Sequence, residues 1–124
     1  APASRVWVPA LDVIEKLDAY LIAVELPGID PGNIDVSFEQ NVLTVRGSRS
    51  LGFDLDEKTE VRVHSAERVS GTFERSVRLP EHVDGDTISA ESRHGVLFLT
   101  VPKAQQARAR KIAIKGVEQK RIES

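Results

Sequence analysis

The stretch DAYLIAVELPGIDPGNIDVSFEQNVLTVRG, residues 18–47, decides the fold, because apolar and polar residues alternate in it between turn signals. Four apolar side chains share one face of its first segment: Tyr20, Ile22, Val24 and Leu26. This spacing of two predicts a half-buried strand, which the turn-forming pair Pro27 and Gly28 ends. Residues 34–40 show the same alternation and residues 42–46 are rich in β-branched side chains, so two more strands are predicted, joined by a hairpin turn at Gln40 and Asn41.

Three later segments complete the predicted strands: residues 72–79, 87–91 and 96–101, separated by Pro80, by Asp84-Gly85-Asp86 and by His94-Gly95. Gly47 is interpreted as the exit of the third strand. No segment has a convincing helical stripe. Six or seven short strands separated by turns predict an all-β fold, an immunoglobulin-like antiparallel sandwich of two sheets.

A length of 124 residues suits one domain. We predict a residual N-terminal arm at 1–9, the β-sandwich at 10–102 and a flexible C-terminal tail at 103–124. The tail is rich in Lys, Arg, Gln and Ala, which is typical of a mobile segment. Because the chain begins at Ala1 with no Met, we interpret it as a processed or trimmed form.

Composition argues against several classes of function. The formal charge is -2, which favours no nucleic-acid partner, and no apolar run approaches the ~20 residues of a membrane span. The chain has no Cys and no nucleotide-binding or hydrolase motif, and its three His are scattered. We therefore expect no enzyme, no cofactor, no metal and no membrane or nucleic-acid partner. A cytoplasmic location is the default for such a chain.

A long polar connection runs from Ser48 to Ser70, and within it Val61 and Val63 alternate with charged or polar residues. A compact domain rarely has so long a loop without a function. The loop could be a solvated surface segment, because it is rich in Asp, Glu and Lys. The length and the apolar alternation of the loop indicate a further role for it.

Four motifs resemble those of the α-crystallin domain of small heat-shock proteins, of the bacterial and plant type. They are AESRHGVL at residues 90–97, running into a strand that ends in Val101–Pro102, ELPG at 25–28, GTFER at 71–75 with Leu79–Pro80, and Ile112-Ala113-Ile114 in the tail. Together these motifs extend over most of residues 10–115. Only about ten residues precede the first turn, whereas family members usually have a longer hydrophobic arm.

The resemblance implies an ATP-independent chaperone, a holdase that binds unfolding proteins and prevents their aggregation. It also implies a homodimer, with assembly into a higher homo-oligomer. Val61 and Val63 would then belong to a strand that joins the partner's sheet, and they form the predicted dimer interface together with Arg75. From the residues alone, Arg75 on the apolar face of its strand could be an arginine near the strand's edge that reaches solvent along its aliphatic stem. On the basis of the resemblance, we predict that it pairs with an acidic group within the chain or across the interface.

The resemblance also assigns the tail motif to a docking role. In an extended tail the side chains of Ile112 and Ile114 point to the same side, so they could enter two neighbouring pockets. The acceptor groove would lie between two strands and be lined by Ile34, Val36, Phe38, Ile88 and Ala90.

An alternative is a monomeric, co-chaperone-like sandwich that docks on one specific folded partner. Such a module needs neither the long loop nor the tail motif, so both features favour the holdase.

Overall fold

The computed structural model describes residues 7–80, 82–105 and 112–116. In this part of the chain seven strands form two sheets. Their bounds are β1 Leu11–Glu15, β2 Ala19–Glu25, β3 Ile34–Glu39, β4 Val42–Arg49, β5 Gly71–Arg78, β6 Ser89–Arg93 and β7 Val96–Pro102. Two short 3-10 helices, η1 Pro31–Asn33 and η2 Gly85–Thr87, lie in the connections. The predicted all-β class is confirmed.

The two sheets are antiparallel throughout and pack face to face. One has four strands in the order β1-β2-β7-β6, and the other has three in the order β3-β4-β5. Ten buried apolar side chains from both sheets form the core: Ile22, Val24, Leu26, Leu43, Val45, Phe73, Leu79, Leu97, Leu99 and Val101. The predicted sandwich is therefore confirmed, and the inward face of β2 is the predicted one.

Two hairpins have turns of the type that the sequence indicates. Gln40 and Asn41 join β3 to β4 with φ of 51° and 65°, and His94 and Gly95 join β6 to β7 with φ of 52° and 80°. Two successive residues with positive φ match the twist of the flanking strands, which is why short hairpins favour this turn. The predicted turn at Gln40 and Asn41 is confirmed.

Gly47 does not end its strand as predicted, because β4 continues to Arg49. A Cβ atom at Gly47 would lie 2.5 Å from the carbonyl oxygen of Asn33 and 2.8 Å from the Phe73 ring. Close packing between neighbouring strands and the core thus requires glycine at this position. Glycine occupies position 47 because there is no space for a side chain, and not because the strand ends there.

Two other boundaries differ from the prediction. β1 was not expected, although it pairs with β2 over its whole length. β6 begins at Ser89 and not at residue 87, because Thr87 belongs to η2. Within the single chain, Val61 and Val63 lie in coil and form no strand.

Candidate functional site

The candidate site is an apolar groove between the two sheets, at the side where β3 and β6 form the sheet edges. Its volume is about 360 Å³. The lining side chains and backbone come from β3, β4, η2, the start of β6 and β7: Val36, Ser37, Phe38, Leu43, Gly85, Ile88, Ala90 and Leu99. None of these residues carries a charge, so the groove suits an apolar segment.

Four of the five predicted groove residues line this groove together: Val36, Phe38, Ile88 and Ala90. Ile34 is half-buried on the same face of β3 but does not line it. The sequence pattern missed Leu43 and Leu99, which form the floor and are each 1% exposed. The inward phase of β4 and β7 could have identified both of them.

The wall at one end of the groove is formed by η2, whose position depends on Asp84. The Asp84 side chain accepts a hydrogen bond from the backbone N–H of Asp86 at 3.1 Å. The backbone N–H of Asp84 donates to the carbonyl oxygen of Pro102 at 2.8 Å, at the end of β7. These two bonds hold η2 against the four-stranded sheet, so the groove has a fixed wall.

The predicted docking motif is exposed to solvent. Ile112 is 81% exposed and Ile114 is 63% exposed. The described tail segment, residues 112–116, contributes nothing to the lining of the groove in its own chain. Residues 106–111, which connect the motif to the sandwich, and residues 117–124 lie outside the described part of the structure. The docking role of the two isoleucines stays a prediction.

The long connection folds back on itself around a polar turn. The carboxylate of Asp56 accepts from the backbone N–H of Lys58 at 3.0 Å and from the hydroxyl of Thr59 at 2.8 Å. The Thr59 and Lys58 donors hold the pKa of Asp56 below its ordinary value. On either side of this turn, apolar residues of the two limbs line a common depression of about 590 Å³: Leu51, Phe53, Leu55, Val61 and Val63.

This loop leaves much apolar surface in water. Phe53 is 71% exposed, and Val61 and Val63 are 49% and 45% exposed. A comparable surface lies on β1, an edge strand, where Val13 is 45% and Ile14 is 59% exposed. Among the residues that the structure describes, the apolar loop therefore has no partner strand, and the apolar edge of β1 has no neighbour beyond it.

Arg75 lies on the inward face of β5, half-buried, in the phase predicted from the sequence. Its guanidinium donates a hydrogen bond of 2.7 Å to the backbone carbonyl oxygen of Pro9. Among the residues that the structure describes, it forms no ion pair with an acidic side chain. The predicted acidic partner is thus not found within this part of the chain, and the alternative across a subunit interface stays a prediction.

The described residues offer no site for other chemistry. Residues 7–80, 82–105 and 112–116 contain no group of three or more His, Cys, Asp or Glu placed to bind a metal ion. No helix in these ranges has the length and apolar character needed to cross a membrane.

Comparison with protein families matches residues 12–115 to the family described as "Hsp20/alpha crystallin family". Small heat shock protein C2 of Rickettsia felis is 36% identical over 109 residues, covering 88% of this chain and 69% of that protein. Small heat shock protein C4 of the same organism is 35% identical, covering 90% of this chain and 66% of that protein. The chain thus spans about two thirds of the length of these two relatives.

Solved structures agree with the sequence comparison. The hspA protein from Xanthomonas axonopodis has 36% identity and a TM-score of 0.66, covering 78% of this chain and 94% of that one. A small heat-shock protein from Xylella fastidiosa, described as having a distinct high order structure, has 34% identity and a TM-score of 0.69. That comparison covers 89% of this chain and 98% of the other.

Proposed function

The chain belongs to the Hsp20/alpha-crystallin family of small heat-shock proteins, which are chaperones and not enzymes, and we propose that it acts as an ATP-independent holdase. In this proposal it binds unfolding proteins through apolar contacts and keeps them from aggregating. The observation that carries the proposal is the uncharged groove between the edges of β3 and β6. A cytoplasmic location is part of the proposal.

The groove supports binding of an extended apolar segment. Its floor reaches the core at Leu43 and Leu99, so an apolar side chain that enters it contacts buried apolar residues. Extended segments place alternate side chains on one side, which suits recognition by a groove between strands. An unfolding protein exposes many such segments, whereas a folded protein exposes few.

The tail motif supports a second part of the proposal, in which Ile112 and Ile114 occupy the groove of a neighbouring subunit. Burial of the two side chains contributes about 3 to 6 kcal/mol. Ordering three residues of the tail costs roughly 1 to 2 kcal/mol per residue, which nearly cancels this gain. The tail is therefore a weak competitor that an unfolding client displaces, and mild heating shifts the balance toward the open groove.

The proposed activity is tested by client aggregation in the absence of nucleotide. We expect the wild-type chain to suppress light scattering from a heat-unfolding client. Ile112→Ala with Ile114→Ala should keep the fold and reduce the size of any assembly larger than a dimer, because the tail can no longer dock. Leu17→Ala is the matched control, since Leu17 is 77% exposed and lies in the connection between β1 and β2.

The proposal would be contradicted by a wild-type chain that leaves client scattering unchanged. An assembly of unchanged size in the double variant would contradict the docking role of the tail while leaving the holdase activity in place.

Dimerisation by strand exchange is the third part of the proposal. The residues around Val61 and Val63 would add to the free edge of β1 in the partner, which removes both exposed apolar surfaces from water. Val61→Asp with Val63→Asp should convert the dimer to a monomer, measured by multi-angle light scattering. Arg62→Asp is the control for added negative charge, because residue 62 has the opposite phase in the same segment. A dimer that persists in the double variant would contradict the exchange.

A further inference from the structure

One residue of the groove wall is a glycine whose role is not explained by its backbone conformation. Gly85 is the first residue of η2, and its φ is not positive. Among the described glycines, the positive φ that favours this residue type is found at Gly28, Gly52, Gly71, Gly95 and Gly116. However, the space around the Cα atom of Gly85 is too small for a side chain. A Cβ atom built on Gly85 would lie 2.7 Å from both Cδ2 and Cε2 of Phe38.

These distances are shorter than non-bonded carbon atoms tolerate, so a side chain at position 85 forces either η2 or the Phe38 ring to move. The Asp84 cap and its bond to Pro102 hold η2. On β4, Leu43 pairs directly with Phe38 and is 1% exposed, so the packed core leaves little space behind the ring. The remaining free space is the groove itself, which Phe38 lines.

We propose that Gly85 is a specificity-determining residue of the groove, because it gives the Phe38 ring room to lie against η2 and leaves the groove open. This inference rests on the proposed function, in which the groove receives residues 112–114 of a neighbouring subunit. A methyl group at position 85 tilts the ring into the groove and fills the space of one isoleucine side chain. In this proposal the groove stays open because position 85 has no side chain.

The test is binding of a labelled synthetic peptide with the sequence of residues 109–117, ARKIAIKGV, to the full chain, followed by fluorescence anisotropy. We expect Gly85→Ala to weaken binding by about tenfold, the lower end of what one methyl group changes in an apolar pocket. Gly32→Ala is the matched control. Gly32 lies in η1, also lacks positive φ, and its Cβ would have only an ordinary contact of 3.7 Å with Asp30.

A second pair of variants shows whether weaker binding by Gly85→Ala comes from a closed groove or from a damaged fold. Phe38→Leu removes the ring that a methyl group would strike. We expect Gly85→Ala to have little effect, within about threefold, in that background, because the two sites are coupled through one contact. A general loss of folding at position 85 would instead weaken binding equally in both backgrounds, and that result would overturn the inference.

The outcomes also separate this inference from the proposed function. Peptide binding that is equal in wild-type and Gly85→Ala chains would overturn the role of Gly85 and leave the docking proposal intact. A wild-type chain that does not bind the peptide would overturn the docking proposal, and the inference with it.

Discussion

Arg75 illustrates how one charged residue is accommodated on an inward face. Its hydrogen bond to the carbonyl oxygen of Pro9 ties β5 to the segment that precedes β1, so the charge is partly satisfied by a backbone dipole. The sequence showed correctly that the residue faces inward. It could not reveal the partner, because a backbone carbonyl 66 positions away leaves no trace in the pattern of side chains.

Replacement of Arg75 by Ala should lower the free energy of unfolding by about 1 to 3 kcal/mol, since it leaves the Pro9 carbonyl without its donor. Urea denaturation measures this change. Arg46→Ala is the control, because Arg46 is exposed on β4 and its 3.6 Å ion pair with Glu74 is worth at most about 1 kcal/mol. An equal loss in the two variants would contradict a special role for the Arg75 bond.

The ion pair between Glu15 and Lys103 joins β1 to the start of the tail. The Lys103 ammonium donates to the Glu15 carboxylate at 2.6 Å, and this bond, followed by the positive charge of Lys103, holds the pKa of Glu15 below its ordinary value of 4.5. A carboxyl group with a lowered pKa in the folded state stabilises the protein above its unfolded-state pKa. That contribution is lost as the pH falls through the lower, folded-state value.

Glu15→Gln should therefore be less stable than the wild-type chain at neutral pH. The difference in unfolding free energy should shrink as the pH is lowered below 4.5. A series of urea denaturations from neutral to acidic pH measures it. A difference that stays constant over the whole series would show that the ionised pair does not cause it.

At the level of elements, four of the predicted strands alternate between more and less buried residues, whereas β6, which was also predicted, is exposed along its whole length. β2, β3, β5 and β7 bury one face in the core, and this burial imposes the period of two. β1 was missed because only Leu11 of its five residues is even half-buried, so the edge strand has little need of alternation. Its pairing with β2 is a tertiary interaction that local sequence does not specify.

The groove was predictable to the extent that it depends on alternation and on family resemblance. Val36 and Phe38 follow from the phase of β3, whereas the location of Ile88 and Ala90 beside them came from the resemblance. Gly85 could not be predicted, because its contact with Phe38 depends on how η2 closes against the edge of the other sheet.

Arg49 closes the base of the long loop, where β4 ends. Its guanidinium donates to the carbonyl oxygen of Val69 at 2.9 and 2.6 Å and to that of Pro27 at 3.0 Å. It also stacks on the ring of Trp7 at 3.8 Å. The two ends of the loop are thereby held together, and the segment before β1 is attached to the same point.

Arg49→Ala should lower the free energy of unfolding by about 1 to 3 kcal/mol, because two carbonyl groups lose a charged donor. Trp7 is the only tryptophan of the chain, so its fluorescence should shift to longer wavelength as the ring becomes more exposed. Arg68→Ala is the control, since Arg68 makes one exposed bond to Leu51 in the same loop. Unchanged fluorescence in Arg49→Ala would contradict this role of the guanidinium.

For the whole molecule, the distribution of apolar surface explains why the chain is expected to assemble. The loop, the edge of β1, the groove and the tail motif are separate apolar surfaces, and the sandwich core covers none of them. A strand added to β1 and a tail placed in the groove would each cover two of these surfaces at once. The first contact would require one partner, and the second would extend the assembly in the proposed case where the tail enters the groove of a different neighbour.

Within the single chain Val61 and Val63 lie in coil, and the proposed strand would form only where a second sheet provides its hydrogen bonds. The alternation of apolar and polar residues around Val61 and Val63 is also shorter than in the strands of the sandwich. In the proposed function, assembly and client binding would share the same kind of contact, which is apolar, extended and easily reversed.

The central claim, that clients are held in the groove between β3 and β6, is tested most directly by hydrogen–deuterium exchange. The full chain is labelled with and without a heat-unfolded client, in the absence of nucleotide. The account predicts slower exchange of the amides of β3 and β6 when the client is present, and protection of the same two strands when the peptide of residues 109–117 is added without client. Client-induced protection that leaves both strands unchanged and falls only on other surfaces would contradict it.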